Sequence, residues 1–211
     1  MTDHLEAIKN AVIGGKHSEI KELVQQGLNA GLDPNALIND ALIAAMDVVG
    51  KDFGSGKIFV PEMLVAALTM KNGLDVVKPL LAGDQIQSRG TVVMATVKGD
   101  LHDIGKNLVS MMLEGAGFKV IDLGVDLSVE KLLERLKEIE PQVLGLSALL
   151  TTTMPEMKRV IQELEAQGIR KNLKVMVGGA PVDRSFAEKI GADGYGANAA
   201  EAVELARFFT H

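Results

Sequence analysis

The chain reads Thr91-Val-Val-Met-Ala-Thr-Val97 and continues directly with Lys98-Gly-Asp-Leu-His-Asp-Ile-Gly105. The first run is apolar and rich in β-branched residues, which is typical of a strand that is buried on both faces. The second run is a polar turn, and a helical pattern from Asp103 to Ala116 follows it. A buried strand, a turn and a helix in this order predict the first half of a βαβ unit.

The same alternation continues to the end of the chain. Further short apolar runs predict strands at Lys119 to Leu123, Val143 to Ser147, Lys174 to Val177 and, weakly, around Tyr195. Helical spacing predicts helices at Ser128 to Ile139, Pro155 to Gln167, Asp183 to Ile190 and Asn198 to Phe209. We therefore predict an α/β domain with a doubly wound parallel sheet, Rossmann-like or flavodoxin-like in topology. Such sheets bind ligands beyond the carboxyl ends of their strands, so the turn after Val97 lies at the predicted ligand edge.

The N-terminal part of the chain has a different periodicity. From Thr2 to about Leu81 the apolar residues recur at helical spacing. Asp33-Pro34 is typical of a helix N-cap followed by proline in the first turn, and that helix is predicted to run to about Gly54. Pro61 is predicted to begin another helix that continues towards Val77. About four helices with short connections predict an up-and-down bundle.

A polar stretch separates the two patterns. Between Leu81 and Gly90 the chain is rich in glycine and in polar or charged residues. We predict a linker here, with a helical domain over residues 1–84 and a sheet domain over residues 89–211.

Composition excludes several classes of function. The 211 residues are 47% hydrophobic, so the chain can bury real cores, and a formal net charge of −6 argues against a basic groove for nucleic acid. No apolar run approaches the length of a membrane span. We expect a cytoplasmic protein with no nucleic-acid or membrane partner. Because the chain has no cysteine, any bound metal must take nitrogen or oxygen ligands from the protein.

His102 stands at the predicted ligand edge and is a candidate metal ligand. A neutral imidazole binds transition metals, and binds them more strongly when its other ring nitrogen donates to a carboxylate. Asp100 lies two residues earlier, and residues at this spacing point to the same side of an extended segment. The alternative is that Asp100 or Asp103 only caps the following helix, with His102 in its solvated first turn. The remaining histidines are predicted to be surface residues: His4, His17 and His211.

Four stretches resemble the cobalamin-binding family, which includes the corrinoid proteins of methyltransferase systems and the cobalamin module of methionine synthase. Lys98 to Asn107 contains the family's Asp-x-His-x-x-Gly signature. Leu146 to Pro155 and Val177 to Pro181 are similar to its later loops, and Val48 to Met63 is similar to the helical cap of methyl-carrying modules. The resemblance spans nearly the whole chain, and it implies cobalamin, a cobalt corrinoid, as cofactor.

The resemblance also implies roles for single residues. His102 is expected to coordinate the cobalt from below, with Asp100 as its hydrogen-bond partner and Thr153 as the hydroxyl that continues a proton relay. Methionine synthase often has serine at the position that Thr153 matches. The corrin's lower nucleotide is expected to be buried beside the sheet. The other expected cofactor contacts in this domain are Gly99, Asp103, Gly105, Ser147, Thr151, Gly178, Gly179 and Ala199. Taken singly, such residues are also ordinary strand-end hydroxyls and turn glycines.

In the helical domain the resemblance implies a cap over the upper corrin face. Phe53, Val60 and Met63 are expected to shield the cobalt–methyl bond, and Asn39 is expected to approach the same face. The alternative is that the apolar residues belong to the core of the bundle, which any pair of packed helices needs.

The resemblance implies a methyl carrier rather than an enzyme. Such a protein accepts a methyl group on cobalt(I) from a substrate:corrinoid methyltransferase of a methanol, methylamine, betaine or aryl methyl ether system. It presents methyl-cobalt(III) to a corrinoid:coenzyme M or corrinoid:tetrahydrofolate methyltransferase. A reductive activation protein is a further expected partner.

Three other activities stay open from the sequence. A cobalamin-binding subunit of an adenosylcobalamin-dependent mutase would share the histidine loop, although the segment from Phe53 to Met63 disfavours it. A cobalamin photoreceptor would couple the cap to a DNA-binding domain, yet no basic recognition helix precedes Leu37. A cofactor-free flavodoxin-like signalling domain would need an acceptor aspartate after a middle strand, and Val143 to Ser147 offers none.

Overall fold

A computed structural model of the chain describes residues 2–81 and 88–211. These residues divide into two compact units, one made of helices and one built around a sheet. The greater part of the predicted linker, including the proposed boundary at residue 84, lies outside the described residues. The boundaries of the two domains therefore remain predictions. Within the described ranges, no helix combines the length and the apolar character that crossing a bilayer requires.

The helical unit contains four helical segments joined by short connections. The first two are α1, Thr2–Ile13, and α2, Ile20–Asn29. The third comprises α3, Pro34–Ala36, a π-helix, Leu37–Ile43, and α4, Ala44–Gly54. The fourth is α5, Val60–Val77, which a 3₁₀ turn, Lys78–Leu80, extends. The predicted four-helix unit is confirmed.

Side-chain hydrogen bonds define where two of these helices begin. The Asp33 carboxylate accepts a hydrogen bond of 3.0 Å from the Ala36 N–H, and Pro34 lies in the first turn, as the sequence predicts. At the start of α5 the Glu62 side chain accepts a hydrogen bond of 2.8 Å from the Phe59 N–H. These bonds satisfy N–H groups that have no partner within the helix.

The π-helix is a difference from the predicted structure. The sequence predicts a regular α-helix from Asp33 to about Gly54, whereas Leu37–Ile43 forms wider turns. Five of its seven residues are buried: Leu37, Ile38, Ala41, Leu42 and Ile43. The spacing of apolar residues does not distinguish the two helix types here, because both bury one apolar side. The choice depends on the packing around the segment.

The sheet unit has five parallel strands in the order β2-β1-β3-β4-β5. The strands are β1, Thr91–Thr96, β2, Lys119–Asp122, β3, Val143–Ser147, β4, Lys174–Gly178, and β5, Gly194–Tyr195. The predicted doubly wound parallel sheet is confirmed, and each predicted strand matches within a residue or so at its ends. The order corresponds to the flavodoxin-like arrangement, in which the chain reverses direction across the sheet between β1 and β3.

Five helices connect and flank the strands. They are α6, Ile104–Gly115, α7, Val129–Ile139, α8, Met154–Ala166, α9, Arg184–Ile190, and α10, Ala199–Phe209. Four of them, α6, α7, α9 and α10, begin one residue later than predicted. For α7, α9 and α10 the reason is that Ser128, Asp183 and Asn198 are N-caps, whose side-chain oxygens accept backbone N–H bonds. The core is formed by strand residues such as Val93, Leu144 and Val175 together with the apolar faces of the helices.

Candidate functional site

The candidate site lies at the carboxyl ends of β1 and β3, where a doubly wound sheet opens a crevice for a ligand. The loop after β1 carries Asp100 and His102, and the loop after β3 carries Leu149, Leu150 and Thr153. Because β1 and β3 are hydrogen-bonded neighbours, these two loops leave the same edge of the sheet side by side.

Asp100 joins the two loops. Its side chain is fully buried, and one carboxylate oxygen, Oδ2, accepts hydrogen bonds from the Leu149 N–H at 2.7 Å and the Thr153 hydroxyl at 2.8 Å. The Leu150 N–H adds a longer bond of 3.3 Å to the same oxygen. The other oxygen, Oδ1, accepts from the His102 N–H at 3.1 Å and contacts His102 Nδ1 at 2.8 Å.

These hydrogen bonds keep Asp100 ionised. Burial acts to raise the pKa of its carboxyl group, but the N–H groups of Leu149 and His102, the His102 ring and the Thr153 hydroxyl outweigh it and hold the pKa well below its usual range. The bonds come from the two loops and not from α6, which begins at Ile104. Asp100 therefore does not cap α6, in contrast to the alternative that the sequence left open.

The carboxylate fixes the orientation of the His102 ring. An ionised carboxylate only accepts hydrogen bonds, so the Nδ1 atom at 2.8 Å must carry the proton. In the neutral imidazole the lone pair then lies on Nε2. The His102 side chain is 52% exposed, and Nε2 has no hydrogen-bond partner among residues 2–81 and 88–211. The ring therefore offers one fixed nitrogen and one accessible nitrogen.

Two residues that the sequence analysis did not select also hold the histidine loop. The buried Thr96 hydroxyl donates to the His102 carbonyl oxygen at 3.0 Å. The Asp126 carboxylate accepts from the Gly99 N–H at 2.8 Å and lies 3.2 Å from the Lys98 ammonium. The Gly99 N–H, followed by Lys98, lowers the pKa of Asp126. Asp126 follows β2, so the search for polar residues after strands could have found it.

Large exposed apolar side chains lie in the His102 loop and in the neighbouring loop after β3. Leu101 is 72% exposed and Ile104 is 85% exposed, on either side of the histidine in the sequence. Leu149 and Leu150, each 41% exposed, lie in the loop after β3. A Cβ added at Gly105 would meet no atom within 4 Å, so the surface beside Ile104 is open. An exposed apolar surface around a fixed imidazole is suited to a large, partly apolar ligand.

The structure explains why glycine is needed at three positions of this edge, which the sequence did not reveal. A Cβ on Gly179 would lie 1.9 Å from the Ala148 carbonyl oxygen, and its φ is +131°. A Cβ on Gly178 would lie 3.0 Å from the Gly196 carbonyl oxygen. Gly99 has a φ of +81°, which L-residues rarely adopt. Gly178 and Gly179 therefore let neighbouring backbones approach closely, whereas Gly99 is required by its positive φ. The expected room for a cofactor tail remains a prediction.

The remaining expected contacts lie at the same edge or near it. Ser147 ends β3 and is half-buried, while Thr151 is exposed in the loop that follows. Asp103 directly precedes α6, and its carboxylate accepts a 3.0 Å hydrogen bond from the Asn107 side chain. Ala199 is buried at the start of α10, just beyond β5. Their contacts with a cofactor remain predictions.

The expected cap residues occupy three different environments in the helical unit. Met63 is fully buried in α5, Phe53 is half-buried in α4, and Val60, the first residue of α5, is 41% exposed. Asn39 is exposed in the π-helix, and its side-chain amide donates to the Asn35 carbonyl oxygen at 2.9 Å. Full burial of Met63 agrees with a core role, whereas Val60 is available to a ligand or a partner.

The donor set around His102 fits a metal that a chelating ring already holds. Such a metal would need only one further ligand from the protein, and one oriented imidazole could supply it. The described residues contain no group of three or more His, Cys, Asp or Glu side chains placed to bind a metal ion on their own. The exposed leucines and Ile104 match the apolar part of such a ring, so the residues present fit a cobalt corrinoid.

Comparison with known proteins identifies this kind of ligand. A family model described as B12 binding domain matches residues 90–204, and a second with the same description matches residues 4–78. Trimethylamine corrinoid protein 2 of Methanosarcina mazei is 43% identical over 197 residues, covering 92% of this chain and 90% of that protein. Dimethylamine corrinoid protein 1 of Methanosarcina acetivorans is 43% identical over 204 residues, covering 96% and 95%.

Solved structures give the same result. The methanol:cobalamin methyltransferase complex MtaBC of Methanosarcina barkeri contains a chain with a TM-score of 0.89 and 34% identity, covering 99% of this chain and 80% of that chain. A cobalamin-binding protein from Desulfitobacterium hafniense has a TM-score of 0.80 and 35% identity, covering 97% and 98%. The cobalamin-binding chain that the motifs around His102 predict is confirmed: the protein belongs to the B12-binding family of corrinoid proteins.

Proposed function

We propose that this chain is the corrinoid protein of a methylamine or methanol methyltransferase system and carries a methyl group between two partner methyltransferases. Its relatives include corrinoid proteins named for trimethylamine and dimethylamine, and a chain of a methanol:cobalamin methyltransferase complex. When it is bound, cobalamin supplies a cobalt centre that accepts a methyl group and releases it. The chain acts as a cofactor carrier and is not itself the catalyst.

The proposed role in cofactor binding is supported mainly by the geometry of the His102 ring. One ring nitrogen is 2.8 Å from a fully buried carboxylate, and the other is accessible. A carboxylate partner of this kind fixes the tautomer of a metal-binding histidine and raises the basicity of the ligating nitrogen. We therefore propose that His102 would hold the cobalt of bound cobalamin and that Asp100 would orient the imidazole.

Asp100 and Thr153 form a path for a proton from His102. The Thr153 hydroxyl lies within hydrogen-bond distance of Asp100 Oδ2 and of the Leu150 carbonyl oxygen, at 2.8 and 2.9 Å. Its single proton can satisfy only one of these acceptors, and the ionised carboxylate is the stronger one. The ionised carboxylate thus keeps a proton on His102 Nδ1, and the Thr153 hydroxyl is the next hydrogen-bonding group along the proposed path.

The finer assignments rest on the family resemblance. Phe53, Val60 and Met63 are proposed to cover the methyl-bearing face, and Ser147, Thr151 and Ala199 to contact the nucleotide tail. The proposed partners are a substrate:corrinoid methyltransferase, a second methyltransferase that uses coenzyme M or tetrahydrofolate, and a reductive activation protein. We propose the cytoplasm as the location of this exchange.

The test is the coordination of bound cobalamin in His102→Ala and Asp100→Asn. In the cobalt(II) state, the wild-type protein should show paramagnetic coupling to a protein imidazole nitrogen, and His102→Ala should lose it. Asp100→Asn should keep the coupling but bind cobalamin about 10–100-fold more weakly, as expected when a residue that orients a ligand is replaced. His17→Ala, at an exposed histidine of the helical unit, is the matched control. Unchanged coupling in His102→Ala would contradict the assignment.

A further inference from the structure

Asp126 lies on the side of the histidine loop that faces away from β3. It follows β2, and β1 lies between β2 and β3 in the sheet. The loop after β1 is therefore flanked by two other loops. The loop after β3 binds the side chain of Asp100, as described above, and the loop after β2 binds its backbone.

Two hydrogen bonds from Asp126 hold the segment that carries Asp100. The carboxylate Oδ1 accepts from the Gly99 N–H at 2.8 Å, and the Asp126 N–H donates to the Asp100 carbonyl oxygen at 2.9 Å. The two bonds lie on either side of the peptide bond that joins Gly99 to Asp100. They fix this peptide where Gly99 has its positive φ of +81°.

The conformation of Asp126 is unusual for a residue with a side chain. Its φ is +52°, and among the described non-glycine residues only Glu140 also has a positive φ. Aspartate tolerates this region better than most residues but does not favour it. Its side chain is 42% exposed, so burial of apolar surface does not require this residue. The positive φ of Asp126 instead allows its hydrogen bonds with Gly99 and Asp100.

We infer that Asp126 is a positioning residue for His102, which acts by fixing the Gly99–Asp100 peptide so that the Asp100 carboxylate reaches the histidine ring and the Leu149 N–H together. The inference deepens the proposed function and rests on it only for the role of His102 as a ligand. Asp100 is thus held from both neighbouring loops, through its side chain on one side and through its backbone on the other.

The first test uses the protein without cofactor and Asp126→Gly, which keeps the backbone conformation accessible and removes the carboxylate. Amide hydrogen exchange should become about 2–10-fold faster at Gly99, the range expected for the loss of one hydrogen bond. It should also become faster at Leu149, whose N–H reports on the position of the Asp100 carboxylate. Asp126→Asn retains a side-chain oxygen that can accept from Gly99, so it should restore most of the protection at both amides.

The second test adds cobalamin and measures its affinity and its coupling to imidazole nitrogen in the cobalt(II) state. Asp126→Gly should bind about 2–10-fold more weakly, with a smaller fraction of molecules showing the coupling. Glu140→Gly is the matched control, because Glu140 also has a positive φ but ends α7 at the opposite edge of the sheet. It should change neither measurement.

The outcomes separate the inference from the proposed function. If Asp126→Gly lowers the melting temperature but leaves Leu149 exchange and nitrogen coupling unchanged, Asp126 has only a structural role and the inference is wrong. If His102→Ala retains the coupling, the proposed ligand is wrong, and the exchange measurement still decides whether Asp126 positions Asp100.

Discussion

Asp100 shows how one buried charge organises a site. A carboxylate removed from water is strongly disfavoured unless hydrogen bonds replace its hydration. Here the replacement comes from Leu149, Thr153 and His102, which lie on two loops. The same bonds that stabilise the charge therefore fix the loops relative to each other and orient the imidazole. Stability and ligand geometry depend on the same contacts.

Gly179 gives a prediction about backbone packing. Gly179→Ala would place a Cβ 1.9 Å from the Ala148 carbonyl oxygen, so the chain must move there. We expect the substitution to lower the free energy of unfolding by about 1–3 kcal/mol. It should also weaken cobalamin binding, because Ala148 directly precedes Leu149, whose N–H donates a hydrogen bond to Asp100. Urea denaturation and a binding titration measure both effects.

Gly168→Ala is the matched control for this prediction. Gly168 also has a positive φ, +72°, but a Cβ there would meet nothing within 4 Å. It should therefore carry only the conformational cost of the positive φ and leave cofactor affinity unchanged. Equal losses of stability in the two variants would show that the approach of Ala148 is unimportant.

At the scale of elements, ion pairs tie the strands together at the edge opposite to the site. Asp193 precedes β5, and its Oδ2 accepts from the Val175 N–H of β4 at 2.8 Å. Its Oδ1 lies 3.1 Å from the Lys174 ammonium, and Arg170 also pairs with it. Burial acts to raise the pKa of Asp193, but Val175, Lys174 and Arg170 outweigh it and lower the pKa. The short strand β5 is therefore held to β4 by the contacts of Asp193 as well as by backbone pairing between the strands.

The contribution of the Asp193 charge should appear in how the free energy of unfolding of Asp193→Asn and of the wild type depends on pH. Because the pKa of Asp193 is lowered on folding, its charge stabilises the protein above the ordinary carboxyl pKa of about 3.9, and the contribution is lost as the pH falls below it. We expect the variant to lose about 1.5–3 kcal/mol at pH 7. The difference from wild type should narrow below about pH 4 in urea denaturation. A difference that stays constant from pH 7 to pH 3.5 would contradict the role of the charge.

At the scale of the whole molecule, the two units correspond to two matched B12-binding regions, residues 4–78 and 90–204. The sheet unit carries His102, the proposed cobalt ligand, and exposed apolar side chains in the same and the neighbouring loop. Its contribution near His102 consists of an imidazole, a carboxylate, hydroxyl groups and leucines. These groups can hold a cofactor and move a proton, which is what a carrier needs.

The protein loaded with cobalt(I) cobalamin should accept methyl groups from methylamines or methanol only when a partner methyltransferase is present. Activating an amine or alcohol as a leaving group requires a positioned acid, which typically contributes about 10²–10⁴-fold to the rate. Asp100, the carboxyl group next to His102, is held ionised by hydrogen bonds from Leu149 and Thr153 and therefore cannot serve as that acid. The rate of methylation, monitored through the change in the visible spectrum, should be at least about 100-fold lower without a partner. Rapid methylation by the isolated protein would make it an enzyme in its own right.

The sequence by itself determined the parallel sheet, the order of its helices and the position of His102 at its ligand edge. These features depend on local patterns: apolar runs, helical spacing and a polar turn directly after a strand. Asp100 could be paired with His102 because the two are only two residues apart. The four cofactor motifs extended this prediction to the family, which the comparisons confirm.

Only the tertiary structure showed the long-range hydrogen bonds that hold Asp100. Thr153 is separated from Asp100 by 53 positions, and Asp126 is separated from Gly99 by 27. The resemblance linked Thr153 to the site, but the geometry of its bond, the part played by the Leu149 N–H and the bonds from Asp126 follow from where the three loops leave the sheet. The π-helix and the close approach of Ala148 to Gly179 belong here as well, because helix width and backbone spacing depend on packing between segments that local periodicity does not record.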